Sequence, residues 1–296
     1  MKINDVVIIG AGSAGIAAAI QLKRYNINPI ILEKDNIGGL LKNANLVENY
    51  LGFPNGISGV ELIKLFKKQL ENNNIQVQFE KVLDINYEKE YFIIKTNKRE
   101  IFSKILIVAS GTLPKELVIP DISEELSNKI LYDVHKITKE KNKKIVIVGS
   151  GDGAFDYALN LSRDNEILIL NRENKIKCLP LLWDRCVNTE NISYLENTII
   201  KNIEKSGNGL ELTLYNSNMQ SNKKIYTDFL LVSIGRKPNL DFLNEKFNEK
   251  IKELKNKDLL FMIGDVKNNI YRQTAICTGD GIKSAMQIYQ KLVEAQ

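Results

Sequence analysis

The pattern of apolar and polar positions predicts a strand–turn–helix–strand motif at the start of the chain. An apolar run at residues 6–9 predicts a buried parallel strand, and the Ala-rich stretch at 15–25 predicts a helix. A second apolar run at 29–32 predicts the next strand. Farther along, residues 80–102 alternate between apolar and polar positions, which predicts a small meander of hairpin strands.

The turn between the first strand and its helix carries the spacing G-x-G-x-x-G. The first glycine makes the tight turn, the second lets a pyrophosphate approach the backbone, and the third lets helix and strand pack closely. The helix start supplies N–H groups, and an acid 23 residues after the first glycine accepts from a ribose hydroxyl. The predicted contacts of this dinucleotide site are Gly10, Gly12, Ser13, Ala14, Gly15, Glu33 and Lys34.

The same motif recurs 139 residues later. Strands are predicted at 144–148 and 166–170, with a helix between them that begins at 154. The turn fits G-x-G-x-x-A, and its predicted contacts are Gly149, Gly151, Asp152 and Ala154. Either this motif binds a second dinucleotide, or it kept its fold and lost its ligand. Two such sites are what a flavoprotein needs, with FAD in one and NADH or NADPH in the other, because hydride transfer is the work of cofactors.

Composition and charge narrow the function classes. The chain has 296 residues, of which 41 are Lys or Arg and 36 are Asp or Glu, for a net charge of +5. The basic residues are scattered and form no stripe with interleaved aromatic residues, so we expect no nucleic-acid binding, while an acidic protein partner is compatible. No apolar run approaches the roughly 18 residues of a membrane span. We therefore expect no membrane insertion and a cytoplasmic location.

The cysteines and the histidine exclude several kinds of site. The three cysteines are Cys178, Cys186 and Cys277, an odd number with no Cys-x-x-Cys spacing, which excludes a disulfide framework and a structural zinc site. The single histidine, His135, cannot form a multi-histidine metal centre. We expect no metal.

Six segments together resemble the low-molecular-weight thioredoxin reductase group of pyridine-nucleotide flavoproteins. They occur in the family's order over essentially the whole chain, at residues 37–40 (IGGL), 47–54 (VENYLGFP), 108–115 (VASGTLPK), 233–239 (SIGRKPN), 263–266 (IGDV) and 271–274 (YRQT). In the family the Asp of the fifth segment holds the ribityl or phosphate region, and the Gln of the sixth contacts the flavin ring. The resemblance thus implies FAD contacts from Gly39, Leu40, Asn49, Val82, Ala109, Gly111, Asp265, Gln273 and Thr274.

The implied fold class is α/β, with two Rossmann-like dinucleotide-binding domains in three layers and a small β-meander. Residues 1–112 and 244–296 would form a discontinuous FAD-binding domain, and residues 113–243 an inserted NAD(P)H-binding domain. The two crossings, at 111–114 and 235–238, both carry Gly and Pro, which interrupt regular structure. The family forms homodimers, and the resemblance implies the same here.

The sequence departs from the family where thioredoxin reductases carry their Cys-x-x-Cys. Counting back from Gly149 places that motif on Tyr132 to His135, a segment without a thiol. Dithiol–disulfide exchange requires a thiolate pair. The thiol-free subgroup, the ferredoxin/flavodoxin–NAD(P)H reductases of thioredoxin-reductase type, carries a Tyr-x-Val that Tyr132 and Val134 match, and a Gly-Asp-x-Ala-x-Asp segment that residues 151–156 match. The Tyr-Arg-Gln at 271–273 instead resembles a thioredoxin reductase. The chain also stops without the extension with which that subgroup covers its flavin, so we expect an open flavin face.

Several residue roles stay open at this stage. Arg172 keeps one arginine of the family's 2′-phosphate clamp, but Glu173 replaces another, which favours NADH; alternatively, this stretch is a solvated turn. No catalytic residue is assigned with certainty. Tyr50 would stack on the flavin ring or pack beneath it, and His135 would relay protons beside the flavin or lie in an exposed linker.

The leading functional hypothesis is an FAD enzyme that takes hydride from NAD(P)H and reduces a small acidic carrier, ferredoxin or flavodoxin. A second is an NAD(P)H oxidase or diaphorase that reduces oxygen or small acceptors directly. A third is a flavin-holding protein whose nicotinamide site is vestigial. A fourth is a thioredoxin reductase that uses Cys178 or Cys186.

Overall fold

The computed structural model describes residues 2–119 and 124–294, and the chain divides into two compact units. The first unit comprises Met1–Lys42, Val47–Leu113 and Lys237–Gln296, and the second comprises Asn43–Leu46 and Pro114–Arg236. The first domain boundary lies one residue beyond the predicted one, and the second lies seven residues before the predicted one, inside the crossing predicted at 235–238. The second differs because Leu240, Phe242 and Leu243 pack against the core of the first unit.

The strands and helices follow the predicted order. In chain order the strands of the described residues are β1 (Ile3–Ile9), β2 (Ile30–Glu33), β3 (Val77–Phe79), β4 (Val82–Glu88), β5 (Tyr91–Thr96), β6 (Glu100–Val108), β7 (Thr112–Pro114), β8 (Ile130–Leu131), β9 (Lys144–Val148), β10 (Glu166–Leu170), β11 (Ile192–Leu195), β12 (Thr198–Ser206), β13 (Gly209–Asn216), β14 (Ser221–Thr227), β15 (Phe229–Val232), β16 (Arg236–Pro238) and β17 (Leu260–Met262). The α-helices there are α1 (Ser13–Arg24), α2 (Gly59–Asn72), α3 (Asp152–Leu161), α4 (Pro180–Val187), α5 (Glu245–Asn256) and α6 (Thr274–Glu294).

Side-chain caps fix two of the helix starts. The Ser58 hydroxyl accepts from the Glu61 N–H at 3.2 Å at the start of α2, and Asn244 accepts from the Phe247 N–H at 2.8 Å at the start of α5. The two helices that follow the glycine turns have no such cap, since α1 follows Gly12 and α3 follows Gly151. Their first N–H groups therefore lack a side-chain acceptor from the capping position.

The first unit is built on a sheet in the order β3-β2-β1-β6-β5-β4, with β17 also pairing with β6. The β1, β2, β3, β6 and β17 pairings are parallel, whereas β4, β5 and β6 form the predicted antiparallel meander. Alternate residues of β1 face opposite layers: Val6 and Ile8 pack with α1, α2 and α6, while Val7 and Ile9 pack with β4, β5 and α5. The parallel part of the sheet thus lies between α1, α2 and α6 on one side and the meander with α5 on the other.

The second unit repeats this plan on a parallel sheet in the order β11-β10-β9-β15-β8. One face packs against α3 and α4, through Phe155 and Cys186 among others, and the other packs against the antiparallel sheet β12-β13-β14. The α/β fold class with Rossmann-like sheets is therefore confirmed. Among the residues the structure describes, no helix is long and apolar enough to cross a membrane.

Candidate functional site

The first glycine turn, Gly10 to Gly15, joins β1 to α1 with no room for side chains at its ends. Gly10 has φ +106°, its N–H donates to the Leu32 carbonyl at 2.8 Å, and a Cβ on it would lie 2.3 Å from the Ala109 oxygen. A Cβ on Gly15 would lie 2.0 Å from the Gly10 oxygen. Glycine is thus required at both positions, because β1, β6 and α1 approach each other here backbone to backbone.

The middle glycine of this turn is different. A Cβ on Gly12 would meet nothing within 4 Å, so the space above the start of α1 is open. The N–H groups and the positive dipole end of α1 face this space. On the other side of the turn, Gly39 has φ +57° and a Cβ on it would lie 3.6 Å from the Gly12 Cα. Leu40 follows Gly39 in a 3-10 helix that spans Gly39–Asn43.

Glu33 ends β2 with a buried carboxylate beside the turn. Its Oε2 accepts from the Ala11 N–H at 2.8 Å, and its Oε1 accepts from the Asp35 N–H at 2.9 Å. These two bonds fix the carboxylate, and each oxygen keeps a further lone pair for a ligand hydroxyl. Glu33 therefore stands where a ribose hydroxyl would need an acceptor.

A cavity of about 380 Å³ opens beside Glu33. Four of the predicted contacts line it: Gly10, Glu33, Lys34 and Val82. Sequence reasoning missed the other lining residues, which are Ile9, Leu32, Glu80, Lys81, Leu83, Ser110, Leu113, Asn239, Asp241 and Phe242.

Part of this lining comes from the ends of the two crossings. The Ser110 hydroxyl donates to the Asn239 carbonyl at 2.6 Å, and the Asn239 side-chain amide donates to the Ser110 carbonyl at 3.2 Å. The Asn239 N–H also donates to the carbonyl of Gly111, which has φ +67°. The only available signal was that Ser110 and Asn239 both lie in segments that resemble the family.

The predicted flavin-ring residues come together from positions far apart in the chain. The Asn49 side-chain amide donates to the Gln273 Oε1 at 3.1 Å across 224 residues of sequence, and Thr274 is the first residue of α6. Tyr50 packs against Phe53 and Phe66, with ring centroids 6.2 and 6.3 Å away. These ring contacts fix the position of the Tyr50 side chain within the first unit.

Asp265 lies in a short turn against the first glycine turn. It belongs to the 3-10 helix Gly264–Val266, and a Cβ on Gly264 would lie 2.8 Å from the Cβ of Ala14. The Cys277 thiol donates to Asp265 Oδ1 at 3.2 Å. Of the predicted FAD contacts, Gly39 and the turn that carries Asp265 therefore lie close to the start of α1.

The second glycine turn, Gly149 to Ala154, repeats the local construction. Gly149 has φ +144°, and a Cβ on it would lie 2.3 Å from the Ser233 oxygen, while a Cβ on Gly151 would meet nothing within 4 Å. Ala154 is fully buried against β9 and β10. Asp152 accepts from the Leu179 N–H at 2.8 Å, so its carboxylate is tied to the segment before α4.

The charged residues beside this turn neutralise one another. Glu173 pairs with Arg172 at 3.1 Å and with Lys177 at 2.9 Å, and the Lys177 N–H donates to the Ser150 carbonyl at 3.0 Å. Hydrogen bonds from Lys177 and then Arg172, together with their charges, lower the pKa of Glu173. The segment therefore folds over the glycine turn with the Glu173 carboxylate held between two cations.

Comparison with known proteins decides the family. The sequence pattern of the pyridine nucleotide-disulphide oxidoreductases matches residues 4–281. The chain belongs to this family. It is similar to the thioredoxin reductase of Bacillus subtilis (strain 168), at 29% identity over 100% of this chain and 96% of that protein, and to that of Borreliella burgdorferi, at 27% over 97% and 91%.

Solved structures agree with this assignment. The thioredoxin reductase of Lactococcus lactis (FR conformation) superimposes with a TM-score of 0.88 at 25% identity, over 98% of this chain and 99% of that one. The T. acidophilum thioredoxin reductase gives 0.86 at 28%, over 98% of each chain. This oxidoreductase is thus a thioredoxin reductase-like flavoprotein, with FAD and a pyridine nucleotide as its cofactors.

The residues present fit these cofactors. The open space at Gly12, which a Cβ would occupy, and the fixed Glu33 carboxylate suit the pyrophosphate and ribose of FAD, with the adjoining cavity for its adenine. The open space at Gly151 suits a second pyrophosphate in the same way. When bound, FAD supplies the redox chemistry, because it can accept a hydride and release electrons.

The segment Tyr132 to His135 lies in the second unit. His135 is exposed, in the 3-10 helix Val134–Ile137, and its N–H donates to Asp133 Oδ1 at 3.1 Å and to Asn43 Oδ1 at 3.3 Å. The Tyr132 hydroxyl accepts from the Leu117 N–H at 3.1 Å. These contacts hold the segment in place, and the imidazole of His135 lies on the surface.

The three thiols are poor nucleophiles in their surroundings. Burial, aided by the charge of Asp152, raises the pKa of Cys178 to about 11, and burial raises the pKa of Cys186 to about 12. Burial and the nearby Asp265 raise the pKa of Cys277 as well. All three are therefore protonated near neutral pH.

Proposed function

We propose that this flavoprotein passes electrons from NAD(P)H through FAD to a one-electron protein carrier of ferredoxin or flavodoxin type, without a dithiol. One observation carries the proposal: the segment from Tyr132 to His135, where the resemblance places the Cys-x-x-Cys of thioredoxin reductases, contains no cysteine. The cysteines that the chain does have are protonated at neutral pH, which disfavours thiol–disulfide exchange.

In this proposal the side chains orient and bind, and none acts as a nucleophile. Gly12 and Glu33 hold the adenosine half of FAD, Asp265 holds the ribityl region, and Asn49 with Gln273 borders the ring. Gly151 admits the pyrophosphate of the nucleotide. Each NAD(P)H oxidised reduces two one-electron carriers and releases one proton. The net charge of +5 favours an acidic carrier.

We further propose NADH as the preferred nucleotide. Glu173 occupies the place of a phosphate-binding arginine, and its carboxylate repels a 2′-phosphate and accepts from a free ribose hydroxyl. Its pairs with Arg172 and Lys177 support the same reading, because they engage the cations that a phosphate would need.

The curated relatives favour a second candidate, disulfide reduction. They are named thioredoxin reductases, and Cys178 and Cys186 pack in or against the same apolar cluster of the second unit. A reductase of this kind would need those two thiols to form and break a disulfide.

The deciding experiment is anaerobic reduction of the purified flavoprotein by NADH or NADPH, followed by mixing with ferredoxin, flavodoxin, thioredoxin or air. The proposal expects fast reoxidation by a carrier in the wild type and equally in the Cys178→Ser/Cys186→Ser double variant. Thioredoxin reduction that the double variant loses would establish the second candidate. Hydrogen peroxide formed at a rate that no carrier changes would identify an oxidase, and a flavin that neither nucleotide reduces would identify a vestigial nicotinamide site.

A further inference from the structure

One carboxylate of α6 holds both ends of the turn that carries Asp265. Asp280 Oδ2 accepts from the Gly264 N–H at 3.0 Å and from the Asn268 side-chain amide at 2.7 Å. Its Oδ1 pairs with Lys267 at 3.3 Å. The Gly264 contact fixes the backbone before Asp265, and the contacts with the Lys267 and Asn268 side chains tie the far end of the turn to the same carboxylate.

Asp280 is largely shielded from water, with 16% of its side chain exposed. Burial alone would raise its pKa, but the hydrogen bonds from Asn268 and Gly264 and the charge of Lys267 outweigh burial and lower it. Asp280 therefore stays ionised at neutral pH. Hydrogen bonds to an ionised acceptor are shorter and stronger than those between neutral groups.

The side chain of Asp265 is held by a second residue of the same helix, one turn earlier. Cys277 is buried, and its thiol donates to Asp265 Oδ1 at 3.2 Å. Its Sγ would lie 3.4 Å from a Cβ on Gly264. Because this thiol remains protonated, it remains a donor, and it selects one orientation of the Asp265 carboxylate.

The same helix is packed directly on the first glycine turn. A Cβ on Gly281 would lie 2.3 Å from the Ala14 carbonyl oxygen, so α6 and α1 touch backbone to backbone. Gly264 also lies close to Ala14, since a Cβ on Gly264 would lie 2.8 Å from the Cβ of Ala14. The position of the Asp265 turn is thereby fixed relative to the start of α1.

We propose that Asp280 and Cys277 are positioning residues that set the Asp265 carboxylate for the hydroxyls of the flavin's ribityl chain before FAD binds. This inference rests on the role proposed above for Asp265. A preset acceptor binds more tightly than a mobile one, because the ordering cost is met on folding and not on binding. Neither residue touches the cofactor in this arrangement; both act through Asp265.

The test measures the FAD dissociation constant of the apoprotein, the flavin midpoint potential and the melting temperature of the apoprotein for four variants. Asp280→Asn should weaken FAD binding about tenfold, because a neutral amide oxygen accepts hydrogen bonds less strongly than an ionised carboxylate. The exchanged pair Asn268→Asp/Asp280→Asn restores an amide–carboxylate bond between the same positions, and it should recover most of that loss.

Substitutions of Cys277 test the proposal independently, because they leave the Asp280 contacts intact. Cys277→Ala should weaken FAD binding about threefold, the effect of one modest hydrogen bond. Cys277→Ser keeps a donor of similar size and should bind FAD as the wild type does. The midpoint potential should shift with Ala and return with Ser, which a merely structural loss would not produce. If Asp280→Asn fails to fold, the Cys277 pair decides the inference.

Wild-type affinity and potential in both Asp280→Asn and Cys277→Ala would overturn the proposal. The proposal would also be overturned if FAD binding weakened in Asp280→Asn and Cys277→Ala but was restored neither by the exchanged pair nor by Cys277→Ser. A wild type that holds FAD but reduces no carrier would contradict the proposed function and leave this inference standing. Glu253→Gln, which breaks an exposed pair with Lys257 on α5, serves as the control and should change none of these readouts.

Discussion

The two glycine turns of this flavoprotein are built alike and surrounded differently. In both turns, a Cβ on the first glycine would lie 2.3 Å from a neighbouring carbonyl oxygen, and a Cβ on the middle glycine would meet nothing within 4 Å. The third position differs: a Cβ on Gly15 would lie 2.0 Å from the Gly10 oxygen, whereas position 154 carries a buried alanine. The first turn is therefore packed more tightly against its strand.

The surroundings differ more than the turns themselves. Around the first lie the buried Glu33, the Asp265 turn held by α6, and a cavity of about 380 Å³. Beside the second lie charged side chains that are mostly exposed, with Arg172 75% and Glu173 40% exposed. Buried, fixed polar groups suit a group that stays bound, and exposed charges suit a ligand that enters and leaves. We therefore expect the first turn to keep its ligand bound longer than the second, because of what surrounds each turn and not because of the turns themselves.

The strongest test of the difference is Gly15→Ala. The added methyl group has no space, and overpacking of this kind costs about 1–3 kcal/mol. We expect a lower melting temperature and protein purified without its yellow colour, measured by thermal unfolding and by absorbance at the flavin band.

The matched change in the other turn is Ala154→Gly. It should cost about 1–2 kcal/mol of unfolding free energy, through helix propensity and the loss of a buried methyl group, and leave the FAD content unchanged. Full FAD content in Gly15→Ala would show that the first turn is no tighter than the second.

The middle glycines should separate the two ligands. Gly12→Ala fits the apoprotein without a clash but fills the approach of the pyrophosphate, so FAD binding should weaken at least tenfold, about 1.4 kcal/mol, with no change in the apoprotein melting temperature. Gly151→Ala should keep FAD and slow flavin reduction about tenfold at subsaturating nucleotide. FAD titration measures the binding of FAD, and stopped-flow spectroscopy measures the rate of flavin reduction. If the two variants behave identically in these measurements, the two turns do not bind different ligands.

Glu173→Ala tests whether the charged residues beside the second turn select the nucleotide. Removing the carboxylate releases Arg172 and Lys177 for a 2′-phosphate, so the ratio of kcat/KM for NADPH over NADH should rise about tenfold. The rise should shrink at high salt, because the groups are exposed. Glu166→Ala, which removes a distant exposed pair with Lys144, is the control. An unchanged ratio would place the ribose elsewhere.

The smallest effect is expected from the thiols. With a pKa of about 11 for Cys178, about one thiol in a thousand is ionised at pH 8, and this fraction rises about tenfold per pH unit up to about pH 10. Alkylation by iodoacetamide should therefore be slow at pH 7 and accelerate as pH rises, while carrier reduction stays at its wild-type rate. Mass spectrometry follows the modification. Rapid alkylation at pH 7 with loss of activity would revive a thiol mechanism.

Much of the fold followed from short stretches of sequence. Apolar runs flanking glycines predicted β1, α1 and β2 and again β9, α3 and β10, and the structure confirms each within about three residues. The alternation at 80–102 predicted β4 and β5. The second domain boundary differs from the predicted one, although the crossing predicted at 235–238 contains it, because Leu240 and Phe242 pack with residues that no local pattern connects to them.

The sequence by itself determined the fold class, the two glycine turns and the missing thiol pair, because strand and helix periodicity and glycine conformations are properties of neighbouring residues. Only the tertiary structure decided which distant side chains meet: Asn49 with Gln273, Ser110 with Asn239, and Asp280 with the turn of Asp265. Such contacts depend on how whole elements pack. A local pattern carries no information on that packing, and so the surroundings that distinguish the two turns emerged only from the folded chain.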